Sequence, residues 1–268
     1  MKDDKDTIVK ATCIPVINFK GGVAKSVTVE NASSALASKG KRVLAIDNDP
    51  QATLTKDFGF SPVELQKKKR TFFYALFNGI PMEDVIIKGS HFDIIPSSKI
   101  HGAQNVDDKI GKKALTALKE KLESVRENYD YILIDCPPYE SLINSNALAA
   151  GDAIIVPVKT DARSVREVPA LMQTVFKIRK NLNPTLKVLG ILPTMYKGYA
   201  HDKEWLGVLE RFCKKQGIHL FAPIRQSTKY EKAVDRNMPA LQRWKQSLRA
   251  DNYHKVAEYI IAQETGKA

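Results

Sequence analysis

Cysteine is scarce in this chain. Cys13, Cys136 and Cys213 are the only three in 268 residues. They are odd in number, show no metal-ligand spacing, and read as reduced thiols in a cytosolic protein. No apolar run approaches the roughly 20 residues that span a bilayer. The opening Met1-Lys-Asp-Asp-Lys-Asp6 is too charged for a secretory leader. Low-complexity segments, internal repeats and flexible linkers are also missing. Residues 12–268 therefore read as one domain behind a short polar leader, residues 1–11, which is too short to hold a helix-turn-helix. Acidic residues are the other shortage: 30 Asp and Glu stand against 42 Lys and Arg, for a net charge of +12 and an isoelectric point near 9.4. That balance favours a polyanionic partner, with a merely lysine-rich surface as the bland alternative.

What is present is concentrated in Val16-Ile-Asn-Phe-Lys20-Gly21-Gly22-Val23-Ala24-Lys25-Ser26-Val27-Thr28. An apolar run, Cys13 to Ile17, leads into a glycine-containing loop, and a helical pattern begins at Ser26. This is the strand–loop–helix context of a phosphate-binding loop. Paired glycines let backbone N–H groups approach phosphate oxygens with no Cβ in the way. The helix start adds unpaired N–H groups and the positive end of a dipole. Lys25 stands where a lysine reaches the β- and γ-phosphates, and Ser26 where a hydroxyl ligates Mg²⁺. The general pattern G-x-x-x-x-G-K-[ST] does not fit, because Phe19 and Ala24 occupy its glycine positions.

Taken in order, strands alternate with helices. Ser26 to Lys39 is helical, with Val29, Ala32, Ala35 and Leu36 on one stripe and Gly40 as a stop. Val43 to Ile46 is a buried strand that ends in Asp47-Asn-Asp49-Pro-Gln51. Phe92 to Pro96 is a strand and Lys112 to Glu127 a helix. Tyr131 to Ile134 is a strand ending in Asp135-Cys-Pro-Pro138, an acidic strand end followed by a stiff turn. Ala153–Pro157 and Lys187–Leu192 are strands; Arg163–Lys180 and Lys203–Gln216 are helices. Ile218–Phe221 is a short strand, and the remainder is mostly helix. Pro15 conflicts with its strand, since it lacks the N–H a central strand donates. Lys67-Lys-Lys-Arg70 reads first as a solvated helix end or loop. The alternation predicts an α/β fold, one doubly wound domain with a mostly parallel central sheet flanked by helices.

The loop matches the deviant Walker A box K-G-G-x-G-K-[ST], with Ala24 as a departure and Lys20 as the additional lysine. Together with Asp47-Asn-Asp49-Pro-Gln51, Asp135-Cys-Pro-Pro138 and Leu192-Pro-Thr-Met-Tyr196, in that order, the chain resembles the ParA/Soj-type partitioning ATPases of the ParA/MinD superfamily. The resemblance covers almost the whole chain. It implies a slow, partner-stimulated ATPase that uses ATP and Mg²⁺, dimerises on ATP and is associated with the nucleoid in the cytoplasm. It also implies non-specific binding to double-stranded DNA and cycling by a ParB-type centromere-binding or adaptor protein, to segregate plasmid, chromosome or other cargo. By the same resemblance Gly21, Gly22, Val23, Ala24, Lys25, Ser26 and Val27 hold the phosphates, and Lys20 reaches the partner's nucleotide. Asp49 orients the attacking water. Ser26 ligates Mg²⁺, Asp47 supports the metal and Asp135 holds it indirectly. Thr194, Met195 and Pro223 contact adenine.

The alternative is a MinD-like membrane-associated positioning ATPase, which needs a C-terminal amphipathic helix. The tail from Tyr253 carries Glu258 and Glu264 and reads as a packed helix, so no membrane partner is expected. A reductase subunit of the nitrogenase-iron-protein kind would need a paired cysteine cluster that the chain lacks. An inactive nucleotide-binding scaffold draws its support from Ala24, because alanine at positive φ costs about a kcal/mol. Positive charge gathers toward the C-terminal third: Lys214, Lys215, Arg225, Lys229, Lys232, Arg236, Arg243, Lys245 and Arg249. Several fall three or four apart and could share helical faces, giving a candidate DNA surface; the alternative is that they are scattered and solvated.

Overall fold

The computed structural model describes residues 10–99, 115–244 and 251–264. The strands are β1 (Thr12–Val16), β2 (Val43–Asp47), β3 (Asp93–Ile95), β4 (Tyr131–Asp135), β5 (Ala153–Lys159) and β6 (Lys187–Thr194). They form one sheet in the order β3-β2-β4-β1-β5-β6, and every pairing is parallel. All residues of β2 and β4 are buried, the reason their sequences are unbroken apolar runs rather than alternating ones.

Helices cover both faces. On one face α1 (Lys25–Ser38) lies against the sheet, with α10 (Ala240–Arg243) and α11 (Asp251–Glu264) beside it. The core there joins Val29, Ala32 and Leu36 to Tyr253, Val256, Ala257 and Ile260. Because α11 covers its outer side, α1 is buried well beyond the stripe its periodicity predicts, Asn31, Ser33 and Ser34 included. The tail helix is thus packed, as its sequence suggests. On the other face α4 (Phe72–Phe77), α5 (Ala117–Leu122), α6 (Leu142–Ala150), α7 (Ala162–Asn181) and α8 (Ala200–Gln216) share a core that includes Phe72, Leu118, Leu122, Ile143, Met172 and Leu209. Three short helices complete the order: α2 (Thr53–Asp57), α3 (Pro62–Lys67) and α9 (Thr228–Val234).

Pro15 does sit in a central strand, and the ladder explains how. Asp152 donates its N–H to the Cys13 carbonyl and Ile17 donates to Ile155, so the nitrogen of Pro15, between them, faces β5. Pairing with β5 begins only at Val16 opposite Ile155. The proline ring fills the gap against Gly151, where a Cβ would come within 2.8 Å of Pro15 Cδ. Two expectations need correction. Lys112–Glu127 is not one helix: α5 spans Ala117–Leu122, a 3₁₀ turn follows at Arg126–Asn128, and residues 112–114 lie outside the described residues. Ile218–Phe221 is not a strand of the sheet but a single bridge, Leu220 to Ile191. Of the expected leader, residues 1–9 lie outside the described residues. Ala11 is already buried and donates its N–H to the Arg126 carbonyl.

Candidate functional site

Three motifs converge at the carboxyl edge of the sheet. In register, Val16 lies opposite Asp135 and Asp135 opposite Asp47. The strand order reverses at β1, and ligands of open α/β sheets bind in the crevice beyond such a reversal.

The loop from Asn18 to Lys25 is braced on several sides. Asn18 Nδ2 donates to the Pro157 carbonyl at 2.8 Å, and its Oδ1 accepts the Lys20 N–H at 3.0 Å. Lys25 Nζ donates back to the Lys20 carbonyl at 2.9 Å. Gly22 takes a left-handed conformation at φ +70°, and a Cβ on Gly21 would stand 3.9 Å from Pro138 of the Asp135-Cys-Pro-Pro138 turn. Ala24, at φ 66° and ψ 37°, is also left-handed, so the strain its sequence position predicts is present. No side chain caps α1, leaving its first N–H groups, from Lys25 through Val27, to an anion.

Thr194 is tied to the phosphate loop. Its buried hydroxyl donates to the Val23 carbonyl at 3.1 Å, so it braces the phosphate loop. Beside the loop lies a mainly apolar cavity of about 180 Å³, lined by Ala24, Val27, Met195, Ile224, Gln226 and Tyr230, with Thr194 at its wall. Met195 lines this cavity beside the phosphate loop. Pro223 does not line this cavity; its carbonyl accepts a hydrogen bond from Asn252 Nδ2 at 2.7 Å. Ile224, Gln226 and Tyr230 carry no motif, so the sequence offered nothing to find them by.

The carboxylates differ in what they already hold. Asp47 already accepts three hydrogen bonds: Oδ2 accepts the Thr55 N–H at 2.8 Å and the Thr55 hydroxyl at 2.6 Å, and Oδ1 accepts the Asp49 N–H at 3.2 Å. Burial lifts its pKa to about 7 despite these donors. Its immediate work is to hold the Asp47–Thr55 turn. Asp49 Oδ1 accepts the Gln51 N–H at 2.8 Å; burial raises its pKa, opposed by that N–H and by the charge of Lys25. Asp135 is fully buried, and neither carboxylate oxygen makes a hydrogen bond of normal geometry. Burial and then the charge of Asp47 push its pKa well up, while the nearby Ser26 hydroxyl and Lys25 ammonium pull it down. Lys25 is itself lowered, chiefly by burial. Two unsatisfied oxygens beside Ser26 suit the water shell of a divalent cation. Among the described residues no group of three or more His, Cys, Asp or Glu is arranged to hold a metal alone, so such an ion would rest on Ser26, water and phosphate oxygens. Lys20 Nζ lies 3.7 Å from Asp161 Oδ1 of its own chain.

The candidate DNA residues do not form one group. Lys214 and Lys215 end α8, while Arg225 bridges to Tyr196 just before α8 begins. A helix of 17 residues separates these places by about 25 Å. Lys229 and Arg243 converge on the Trp244 ring, at 5.8 and 4.8 Å from its centroid, joining α9 to α10. Lys232 and Arg236 are exposed nearby in sequence, and Lys245 and Arg249 lie outside the described residues.

Residues 11–188 match the family model described as an AAA domain. The chain is 34% identical to the chromosome partitioning protein ParA of Caulobacter vibrioides over 68% of this chain and 69% of that one. It is 35% identical to the sporulation initiation inhibitor protein Soj of Bacillus subtilis over 74% and 83%. Among solved structures it is similar to a cobyrinic acid a,c-diamide synthase from Mycobacterium smegmatis with bound ADP and magnesium, at TM-score 0.81 and 26% identity, covering 96% of this chain and 97% of that one. The phosphate loop, the two strand-end carboxylates and these similarities agree: the chain belongs to the ParA/Soj family of partitioning ATPases.

Proposed function

We propose that this protein binds ATP with Mg²⁺ and hydrolyses it slowly, that ATP joins two copies, and that the dimer binds DNA without sequence preference. A ParB-type or adaptor partner would stimulate turnover and so position plasmid, chromosome or other cargo. The observation that carries this is the meeting of Lys25, Ser26, Asp49 and the unsatisfied Asp135 at one strand edge, with a second lysine, Lys20, in the same loop. Phosphoryl transfer depends on positioning and charge neutralisation more than on covalent catalysis. Lys25 and the α1 N-terminus would hold the phosphates, Asp49 would orient water, and Lys20 would serve the neighbouring copy's nucleotide. Mg²⁺ held through Ser26, with Asp135 behind it, would neutralise phosphate charge.

The packing of α11 against α1 favours this reading over a membrane-binding tail, because its apolar side is already used. The test is phosphate release and light scattering on Asp49→Ala. The variant should bind ATP, form a dimer and not turn over; wild-type hydrolysis would remove Asp49 from its role. For DNA, charge reversal at the exposed Arg225, Lys232 and Arg236 should weaken binding to any duplex alike. It should also flatten the salt dependence by about 0.9 for each phosphate no longer neutralised. Unchanged binding would place the DNA surface elsewhere.

A further inference from the structure

Lys20 is held unlike a free surface lysine. Its N–H is fixed by Asn18 and its carbonyl by Lys25, so the backbone is pinned on both sides and only the side chain can swing. That side chain points within its own chain to Asp161. Asp161 caps α7, its Oδ1 accepting the Ser164 N–H at 2.8 Å, and its Oδ2 lies 3.2 Å from Lys159 Nζ. Lys159 ends β5 and Asp161 follows it, while Lys20 lies in the loop after β1, the neighbouring strand. Two ammonium groups therefore share one carboxylate, and Lys20 holds the longer, weaker contact.

We propose that Asp161 is a positioning residue, a charge latch that keeps Lys20 on its own chain until a second copy's nucleotide offers more negative charge, with Lys159 setting how firmly the latch holds. This rests on the reading that Lys20 acts across a dimer. Asp161 is anchored by the helix cap whether or not Lys20 is present, so the latch does not move when it opens. Lys159 competes for the same carboxylate, which gives the two neighbours opposite effects. Removing the Asp161 charge frees Lys20, whereas removing Lys159 leaves Asp161 to Lys20 alone.

The test uses the full chain and two readouts. Asp161→Asn retains an amide oxygen for the Ser164 N–H and so spares the cap while deleting the charge. Without nucleotide, Lys20 labelling by an amine-reactive reagent, read by mass spectrometry, should rise about two- to fivefold in Asp161→Asn and fall in Lys159→Gln, the range expected for a partly exposed ion pair. The ATP concentration at half-maximal dimerisation, read by light scattering, should fall by a similar factor in Asp161→Asn and rise in Lys159→Gln. Unchanged Lys20 labelling in both variants overturns the latch. Labelling that shifts while the dimerisation midpoint stays fixed overturns its control of assembly. A wild-type chain that stays monomeric at every ATP concentration overturns the dimer reading instead, and the labelling result still decides whether Asp161 holds Lys20.

Discussion

Replacing Ala24 with glycine should raise stability slightly, and the sign depends on two opposing terms. Ala24 sits at φ 66° and ψ 37°, where an L residue's Cβ crowds the following carbonyl at a cost of roughly 1–2 kcal/mol. Glycine removes that strain but restores roughly 0.4–1 kcal/mol of conformational freedom to the unfolded chain. Strain exceeds entropy, leaving a net gain of about 0.5–1 kcal/mol. For a chain of this size that corresponds to an increase of roughly 1–3 °C in Tm. The opposite control is Ala24→Val, whose branched Cβ is still less tolerant of positive φ and should lower Tm by more than the glycine raises it. Thermal unfolding followed by circular dichroism, without nucleotide, measures both. An Ala24→Gly protein that melts at or below wild type refutes the claim that this residue is strained.

Thr55 donates twice to Asp47, and its hydroxyl also accepts the Ser97 N–H at 2.8 Å. Thr55→Val leaves the buried Ser97 N–H without its acceptor and removes one of the three donors to Asp47, and should cost about 1–3 kcal/mol, seen as a lower urea midpoint; no shift would mean the turn is not held there. Stability should also fall as pH rises from about 4 to 7. The unfolded chain loses its carboxyl protons near pH 4, while burial holds Asp47 protonated to about 7 and raises Asp135 well above its ordinary range. The folded state then binds more protons than the unfolded one, at up to about 1.4 kcal/mol per pH unit for each such group. A denaturation midpoint that climbs across that window would contradict this sign. Nucleotide affinity should drop at least about tenfold in EDTA, because a polyphosphate brings several negative charges to a crevice whose one buried lysine among the described residues is Lys25. Equal affinity with and without Mg²⁺, by isothermal titration, would show that Lys25 alone offsets that charge.

Much of the frame was legible because it depends on patterns only a few residues long. Apolar runs ending in Asp47 and Asp135 read as buried parallel strands, and both are. The glycine pair feeding a helix read as a phosphate loop, and its backbone takes left-handed φ at Gly22 and again at Ala24. Gly40 stops α1 as its position predicts, at φ +80°. Pro15 looked like a contradiction only because a sequence does not say which neighbour a nitrogen faces. The answer depended on Gly151, far downstream in the chain.

What stayed illegible concerns which donors and acceptors meet. Asp47 and Asp135 look alike in sequence, each an acidic residue closing a buried strand, and they lie opposite one another in register. Yet one accepts three hydrogen bonds and the other none of normal geometry. The difference comes from Thr55, eight residues past Asp47 in a five-residue helix too short to announce itself by periodicity. The same holds for Thr194, whose hydroxyl is spent on a carbonyl 171 residues away. A motif therefore indicates which side chains reach the crevice. Whether each one still has a lone pair or a proton to offer is decided by residues that carry no motif. On that ground Asp135, whose oxygens are unsatisfied, has more to give an incoming cation than Asp47, whose oxygens already hold the turn.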